Sequence, residues 1–180
     1  MRVISGKYKG LFLDGFNING TRPTMDRVKE SMFASIQNYL KNSVCLDLFA
    51  GSGSLGIEAL SNGAEYCYFV DNNPEILKIL KSNLNKLKEN NYSIINKSYK
   101  VALENFKIEN KKFDIIILDP PYKLNLINDI LTYIYNNDLL SKDGIIICEY
   151  ENEIVDNENF NILKDKKYGS KLVRIYSKDN

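Results

Sequence analysis

At 180 residues the chain is the length of one ordinary domain, too short for two well-packed ones, and long enough to bury a core without disulfide or metal staples. It has 44% hydrophobic and 26% charged residues, a net charge of +1 and no histidine. The missing histidine excludes Ser-His-Asp and Cys-His catalysis and His-ligated zinc. No apolar run approaches the ~20 residues that span a bilayer, and Met1–Lys7 has no apolar signal core, so a cytoplasmic protein without membrane association is expected.

The near-zero net charge hides three blocks. Residues 1–41 carry seven Lys/Arg against three Asp/Glu, residues 42–163 eleven against eighteen, and residues 164–180 six against two. Basic ends around an acidic middle suit a polyanion contact made by the ends, or simply well-solvated termini. Cys45, Cys67 and Cys148 lie in apolar runs without C-x-x-C spacing and read as buried thiols.

In chain order, residues 2–5 and 9–14 read as a small hairpin around Gly6-Lys7-Tyr8, and Gly15–Gly20 as a loop. A helix opens at Thr24 and runs to about Lys41, with Val28, Met32, Phe33, Ile36, Tyr39 and Leu40 recurring at helical spacing. From there strand and helix alternate. Strands are predicted at Val44–Phe49, Tyr66–Val70, Ser93–Asn96, Phe113–Leu118 and Gly144–Glu149. Helices are predicted at Ser54–Ser61, Pro74–Lys88, Val101–Phe106 and Leu124–Asn136. Phe160–Lys164 and Leu172–Ser177 complete the chain as an antiparallel hairpin at a sheet edge. Strands apolar on both faces that alternate with helices indicate an α/β fold, a Rossmann-like and mostly parallel sheet covered on each side. Residues 1–180 form one domain on this reading, with 1–41 an extension to a core at 42–180.

In such sheets ligands bind beyond the carboxyl ends of the strands. After the first strand comes Asp47-Leu48-Phe49-Ala50-Gly51-Ser52-Gly53-Ser54-Leu55-Gly56, where Gly51 and Gly53 allow a sharp turn and a close ligand approach. After the second comes Asp71, able to hold a ribose diol or to cap the helix that Pro74 opens, with Asn72 beside it. Ser98 and Tyr99 follow the third and could meet a base edge or face. Asp119-Pro120-Pro121-Tyr122 follows the fourth and could equally be a rigid turn. The glycine turn fits the G-x-G-x-x-G of nicotinamide enzymes on its face. Asp47, however, would repel a pyrophosphate and suits a cationic ammonium. The candidate cofactor is therefore S-adenosyl-L-methionine, held by Asp47, Phe49, Ala50, Gly51, Gly53, Asp71, Asn72, Ser98 and Tyr99, with no metal required.

Taken together, the Asp47–Gly53 loop and the Asp119–Tyr122 tetrad resemble Rossmann-like methyltransferases acting on exocyclic amino groups. The opening Arg2-Val3-Ile4-Ser5-Gly6-Lys7-Tyr8-Lys9-Gly10 and the run from Thr21 to Glu30 narrow this to a resemblance to the RsmD family, which methylates guanine N2 in 16S rRNA. The resemblance implies a seven-stranded class I methyltransferase with 16S rRNA as partner, possibly within an assembling small subunit, and a monomer is expected. It implies that Asp119 and the Pro120 carbonyl accept the two amino hydrogens while Tyr122 stacks on the base. Arg2, Lys7, Lys9, Arg22, Thr24 and Arg27 are the candidate RNA contacts. Arg22 and Arg27 could instead pair with Asp26 or Glu30, and Thr24 could cap the helix. An adenine-N6 methyltransferase, a nicotinamide oxidoreductase and a non-catalytic RNA-binding module are the competing readings.

Overall fold

The computed structural model describes residues 1–15, 22–121, 126–150, 156–169 and 171–178, with side chains from residue 26 onward in the first helix. Helix α1 (Arg22–Ser35) and the short α2 (Gln37–Leu40) precede an alternating series. It runs β1 (Val44–Asp47), α3 (Ser54–Ser61), β2 (Tyr66–Asp71), α4 (Pro74–Leu84), β3 (Tyr92–Asn96), α5 (Tyr99–Ile108), β4 (Phe113–Leu118), α6 (Ile127–Asn136) and β5 (Leu140–Tyr150), and ends in β6 (Phe160–Tyr168) and β7 (Lys171–Lys178).

The seven strands form one sheet in the order β3-β2-β1-β4-β5-β7-β6. β1 to β5 pair in parallel, and β7 is antiparallel to both β5 and β6. The direction of chain progression reverses between β1 and β4, so a crevice opens at their carboxyl ends. Alternate residues feed two cores. Cys45, Ile115, Ile117, Ile145 and Ile147 pack with α1, α3 and α4 on one face. Leu46, Ile116, Leu118, Ile146 and Cys148 pack with α5 and α6 on the other. The three cysteines are buried and in no disulfide, as expected, and burial pushes the Cys45 thiol up to about 12.

Several predicted elements differ from those observed; α4 ends at Leu84 rather than Lys88, α5 spans Tyr99–Ile108 rather than Val101–Phe106, and α1 begins at Arg22, which puts Thr24 inside the helix rather than at its cap. The N-terminal segment shows an isolated antiparallel bridge between Arg2 and Phe12 in place of two strands. The N–H groups of Ile4 and Ser5 turn away from the hairpin and donate to the carboxylate of Glu58. The first helix breaks at Ile36, where Ser35 Oγ donates back to the Ser31 carbonyl across 2.6 Å, a bond that bends helices. β5 begins at Leu140 rather than Gly144, through an irregularity opposite Phe113–Ile115. β6 extends to Tyr168, because an exposed, lysine-rich edge strand has little apolar signal. The predicted Gly15–Gly20 loop falls almost wholly outside the described residues, as do Leu124 and Asn125 of the predicted Leu124–Asn136 helix, which is observed from Ile127.

Candidate active site

The chain between β1 and α3 stays stitched to both neighbouring strands. Leu48 N–H donates to the Ile117 carbonyl at 3.1 Å, and Ala50 N–H to that of Val70 at 2.9 Å. Gly53 N–H then closes a tight turn onto Ala50 at 2.7 Å. Gly51 and Gly53 sit at φ +54° and +83°, in the left-handed region that a side chain disfavours. A Cβ on Gly53 would lie 2.5 Å from Leu80 Cδ1, whereas one on Gly51 would meet nothing nearer than the Phe49 carbonyl oxygen at 4.0 Å. Gly53 is thus required by packing as well as conformation, while the space beside Gly51 is open to a ligand. At Gly56 a Cβ would come within 2.3 Å of the Phe69 ring, so that glycine lets α3 lie directly on β2.

Two carboxylates flank this turn. Asp47 is buried, and its Oδ2 accepts the Gly56 N–H at 2.9 Å. Its Oδ1 is buried with no hydrogen-bond partner among the described residues. Burial pushes the carboxyl up to about 7, against the lowering effect of the Gly56 N–H and with the Asp71 charge adding to the rise. A buried, unsatisfied oxygen beside an open glycine turn suits a cation or a donor. Asp71 Oδ2 accepts from Gly51 N–H at 3.1 Å and its Oδ1 from Asn73 N–H at 2.9 Å. The helix cap is Asn73 rather than Asp71, with Asn73 Oδ1 accepting from Glu75 N–H at 3.0 Å. Asp71 instead ties the glycine turn to the end of β2, and each oxygen keeps a lone pair for a ligand hydroxyl. Asn72 is exposed beside it.

Ser98 caps α5, its Oγ accepting from Val101 N–H at 3.4 Å. Tyr99, the first residue of that helix, lies against Phe49 with ring centroids 5.4 Å apart and planes at 43°. Both rings are half-buried, so they offer apolar surface at the ends of β3 and β1. On the other side of the crevice, Asp47 pairs in register with Ile117, which places Asp119 two residues beyond that row on the adjacent strand. Asp119 is half-buried, Pro120 is buried and Pro121 is exposed; Tyr122 lies outside the described residues. The residues predicted around a nucleoside-bearing cofactor therefore come from the ends of β1, β2 and β3. The predicted acceptor pair stands across the crevice on β4.

The family model described as "Conserved hypothetical protein 95" matches residues 1–177. Ribosomal RNA small subunit methyltransferase D of Haemophilus influenzae is 37% identical over 182 residues, covering 98% of this chain and 93% of its own length. This chain belongs to the RsmD family. YlbH of Bacillus subtilis is 41% identical over 99% of each chain. The solved structure of yhhF from Escherichia coli superposes with a TM-score of 0.85 at 29% identity, covering 99% of this chain and 98% of its own. The sheet order and these neighbours establish the Rossmann-like class I methyltransferase fold.

In this RsmD chain the N-terminal segment is bound to α1, α3 and α4 by buried polar groups that sequence reasoning missed. Glu58 is fully buried on α3 and accepts from Ile4 N–H at 2.9 Å, Ser5 N–H at 2.8 Å and Ser5 Oγ at 2.9 Å. Lys29 of α1, also buried, meets Glu58 Oε2 at 3.1 Å and donates to the Arg2 carbonyl at 2.7 Å and Ser54 Oγ at 3.1 Å. Asn83 of α4 donates to the carbonyls of Asp14 and Ser52, at 2.8 and 2.9 Å. Ser52 and Ser54 flank Gly53, so the glycine turn is held from two sides. A lone carboxylate in the otherwise apolar α3, and an asparagine in helical phase with Leu77, Leu80 and Leu84, were the available signals.

The candidate RNA contacts are scattered by comparison. Arg2 Nε pairs with Asp26 at 3.2 Å, which takes Asp26 away from the partners expected for it. Lys7 pairs with Glu89, while Lys9 and Arg27 are exposed. The side chains of Arg22 and Thr24 lie outside the described residues.

Proposed function

We propose that this chain transfers a methyl group from S-adenosyl-L-methionine to the exocyclic N2 amino group of a guanine in 16S rRNA. Membership of the RsmD family supports rRNA as the substrate, and near-full-length relatives are named ribosomal RNA small subunit methyltransferases. The observation that carries the cofactor assignment is Asp47: its buried, unpartnered oxygen beside the Gly51 turn would receive the ammonium. Asp71 would hold the ribose diol, and Phe49 and Tyr99 would flank the adenine. Ala50, Gly53 and Asn72 line the same rim, whereas the Ser98 hydroxyl already serves α5. When bound, the cofactor supplies a methyl group on a sulfonium that leaves as a neutral thioether.

The remaining chemistry falls to the chain itself. The guanine amine is a poor nucleophile because its lone pair is delocalised into the ring. Asp119 and the Pro120 carbonyl accept its two hydrogens, draw the nitrogen toward tetrahedral geometry and direct the lone pair into the crevice. Asp119 then holds the proton that the nitrogen gives up. Pro120 and Pro121 fix φ near −65°, so the acceptors stand ready before the base arrives. Tyr122 stacks on the base, an interaction worth about 1–3 kcal/mol in single-stranded recognition. Orientation of this kind can supply ~7–11 kcal/mol of the barrier. Residues 1–41 serve as the RNA-facing extension of a single cytoplasmic domain, with Arg2, Lys7, Lys9, Arg22, Thr24 and Arg27 the candidate contacts to the RNA.

Mass spectrometry of rRNA nucleosides from cells with and without this protein tests the assignment. Loss of N2-methylguanine from 16S rRNA is expected. Loss of N6-methyladenine instead would move the reading to adenine, and an unchanged nucleoside profile would remove rRNA as substrate.

A further inference from the structure

The two basic ends of the chain meet in space. α1 lies antiparallel to β6, with the Ser31 hydroxyl bonded to that of Tyr168 and Lys164 Nζ donating to Ser35 Oγ at 2.6 Å. Because β7 is antiparallel to both β5 and β6, β6 points the same way as β1 and β4. The turn after Tyr168 therefore stands on the edge of the sheet that holds the candidate active site.

Register fixes the height of the side chains. Leu118 pairs with Cys148, Cys148 with Arg174, and Arg174 with Asp165. One residue further the row reads Glu149, Val173, Lys166, and the next reads Tyr150, Leu172, Lys167; the β4 ladder ends at Leu118, and Asp119 and Pro120 are the next two residues of that chain segment. Three strand spacings of ~4.8 Å separate Lys166 from Asp119, roughly 14 Å across the sheet. The cofactor side, β1 to β3, lies in the opposite direction.

Among the described residues, the carboxylates around this tip are engaged by other cations. Arg174 grips Asp165 through Nε at 3.1 Å and through Nη2, and reaches Asp156 at 2.8 Å. Glu149 pairs with Lys171. Lys166 and Lys167 are exposed and in no ion pair among the described residues. On α1 the exposed Arg27 is offset by the exposed Glu30, so the lysines set the sign of this rim.

We propose that the tip of the β6–β7 hairpin binds RNA phosphates, through Lys166 and Lys167, on the strand that flanks the target base. The proposal rests on the RNA methyl-transfer reading above. A base seated at Asp119 and Pro120 leaves its strand to run away from the cofactor, across β5 and β7. The hairpin meets it there with two cations, in no ion pair among the described residues, in the two rows beyond the Leu118–Cys148 row. The middle of the chain is acidic and would repel the same backbone.

The test is fluorescence anisotropy of a 16S rRNA fragment with S-adenosylhomocysteine present, alongside methyl-transfer kinetics. It compares the parent, Lys166→Gln/Lys167→Gln, and Lys142→Gln, an exposed lysine at the opposite end of β5. In the double variant the slope of log affinity against log salt should flatten by about 1–2. KM for RNA should rise roughly tenfold, while kcat, thermal midpoint and S-adenosylhomocysteine affinity hold. Lys142→Gln should match the parent. If the parent methylates RNA and the double variant keeps its salt slope and KM, the hairpin assignment falls while the active-site reading stands. Equal losses in Lys142→Gln would also overturn it, by showing a general effect of charge. A parent that methylates no RNA overturns both.

Discussion

Gly56 donates its backbone N–H to one oxygen of Asp47 and leaves the other without a partner among the described residues. A helix that begins at the glycine turn thus aims a buried carboxylate back at that turn. With its carboxyl pushed up to about 7 by burial, Asp47 changes charge within the working pH range.

Cofactor binding should therefore depend on pH. An ammonium favours ionised Asp47, so affinity should rise between pH 6 and pH 8 and binding should release protons at the lower end. Calorimetry in buffers of different ionisation enthalpy measures this directly. The stability effect has the opposite sense. The folded value lies above the ordinary ~3.9 of an unfolded aspartate, so the contribution of Asp47 to stability is fully present below pH ~4 and is lost as pH rises through about 7. Relative to Asp47→Asn, the ligand-free parent should lose stability between about pH 4 and about pH 7 in denaturant titrations.

Asp71→Ala should weaken S-adenosylhomocysteine binding by roughly 1–3 kcal/mol, the range for leaving buried polar partners unpaired. The loss has two sources: the ligand hydroxyls, and the Gly51 N–H that Asp71 holds in place. An unaltered dissociation constant would count against the ribose role.

Asp119→Ala should abolish methyl transfer while cofactor affinity stays within about twofold of the parent, because Asp119 follows β4 and the proposed cofactor residues lie at the ends of β1 to β3. Single-turnover assays with bound cofactor separate the two. Turnover unchanged in this variant would remove Asp119 from the chemistry.

Breaking the Lys29–Glu58 pair should be costly. Lys29→Met or Glu58→Gln alone should destabilise by about 3–5 kcal/mol, since each strands a buried charge or leaves the N–H groups of Ile4 and Ser5 poorly paired. The double variant should recover part of that loss. Urea unfolding of all four proteins gives the coupling, and additive losses would show that the pair is not coupled.

Most of the sheet was legible because its strands are apolar on both faces. Runs such as Phe113–Leu118 can only be buried, and the helices between them carry ordinary start and stop signals, Pro74 and Asn62-Gly63 among them. The site was legible in part for the same reason, since strand ends locate Asp47, Asp71 and Asp119. Lys29, Glu58 and Asn83 escaped because charged and amide side chains on helices usually face water, and burial that depends on a distant partner leaves little local trace. The helix break at Ile36 escaped because its cause, the Ser35 back-bond, is a choice of rotamer.

The outermost strand has a further property. Between Ile162 and Lys164 its pairing with β7 slips, leaving Leu163 out of the ladder, and its far half is studded with lysines. A bulge and like charges deny a neighbouring molecule the long flat template that fibril growth requires. An open-sided sheet can thus end in a bare strand without recruiting copies of itself.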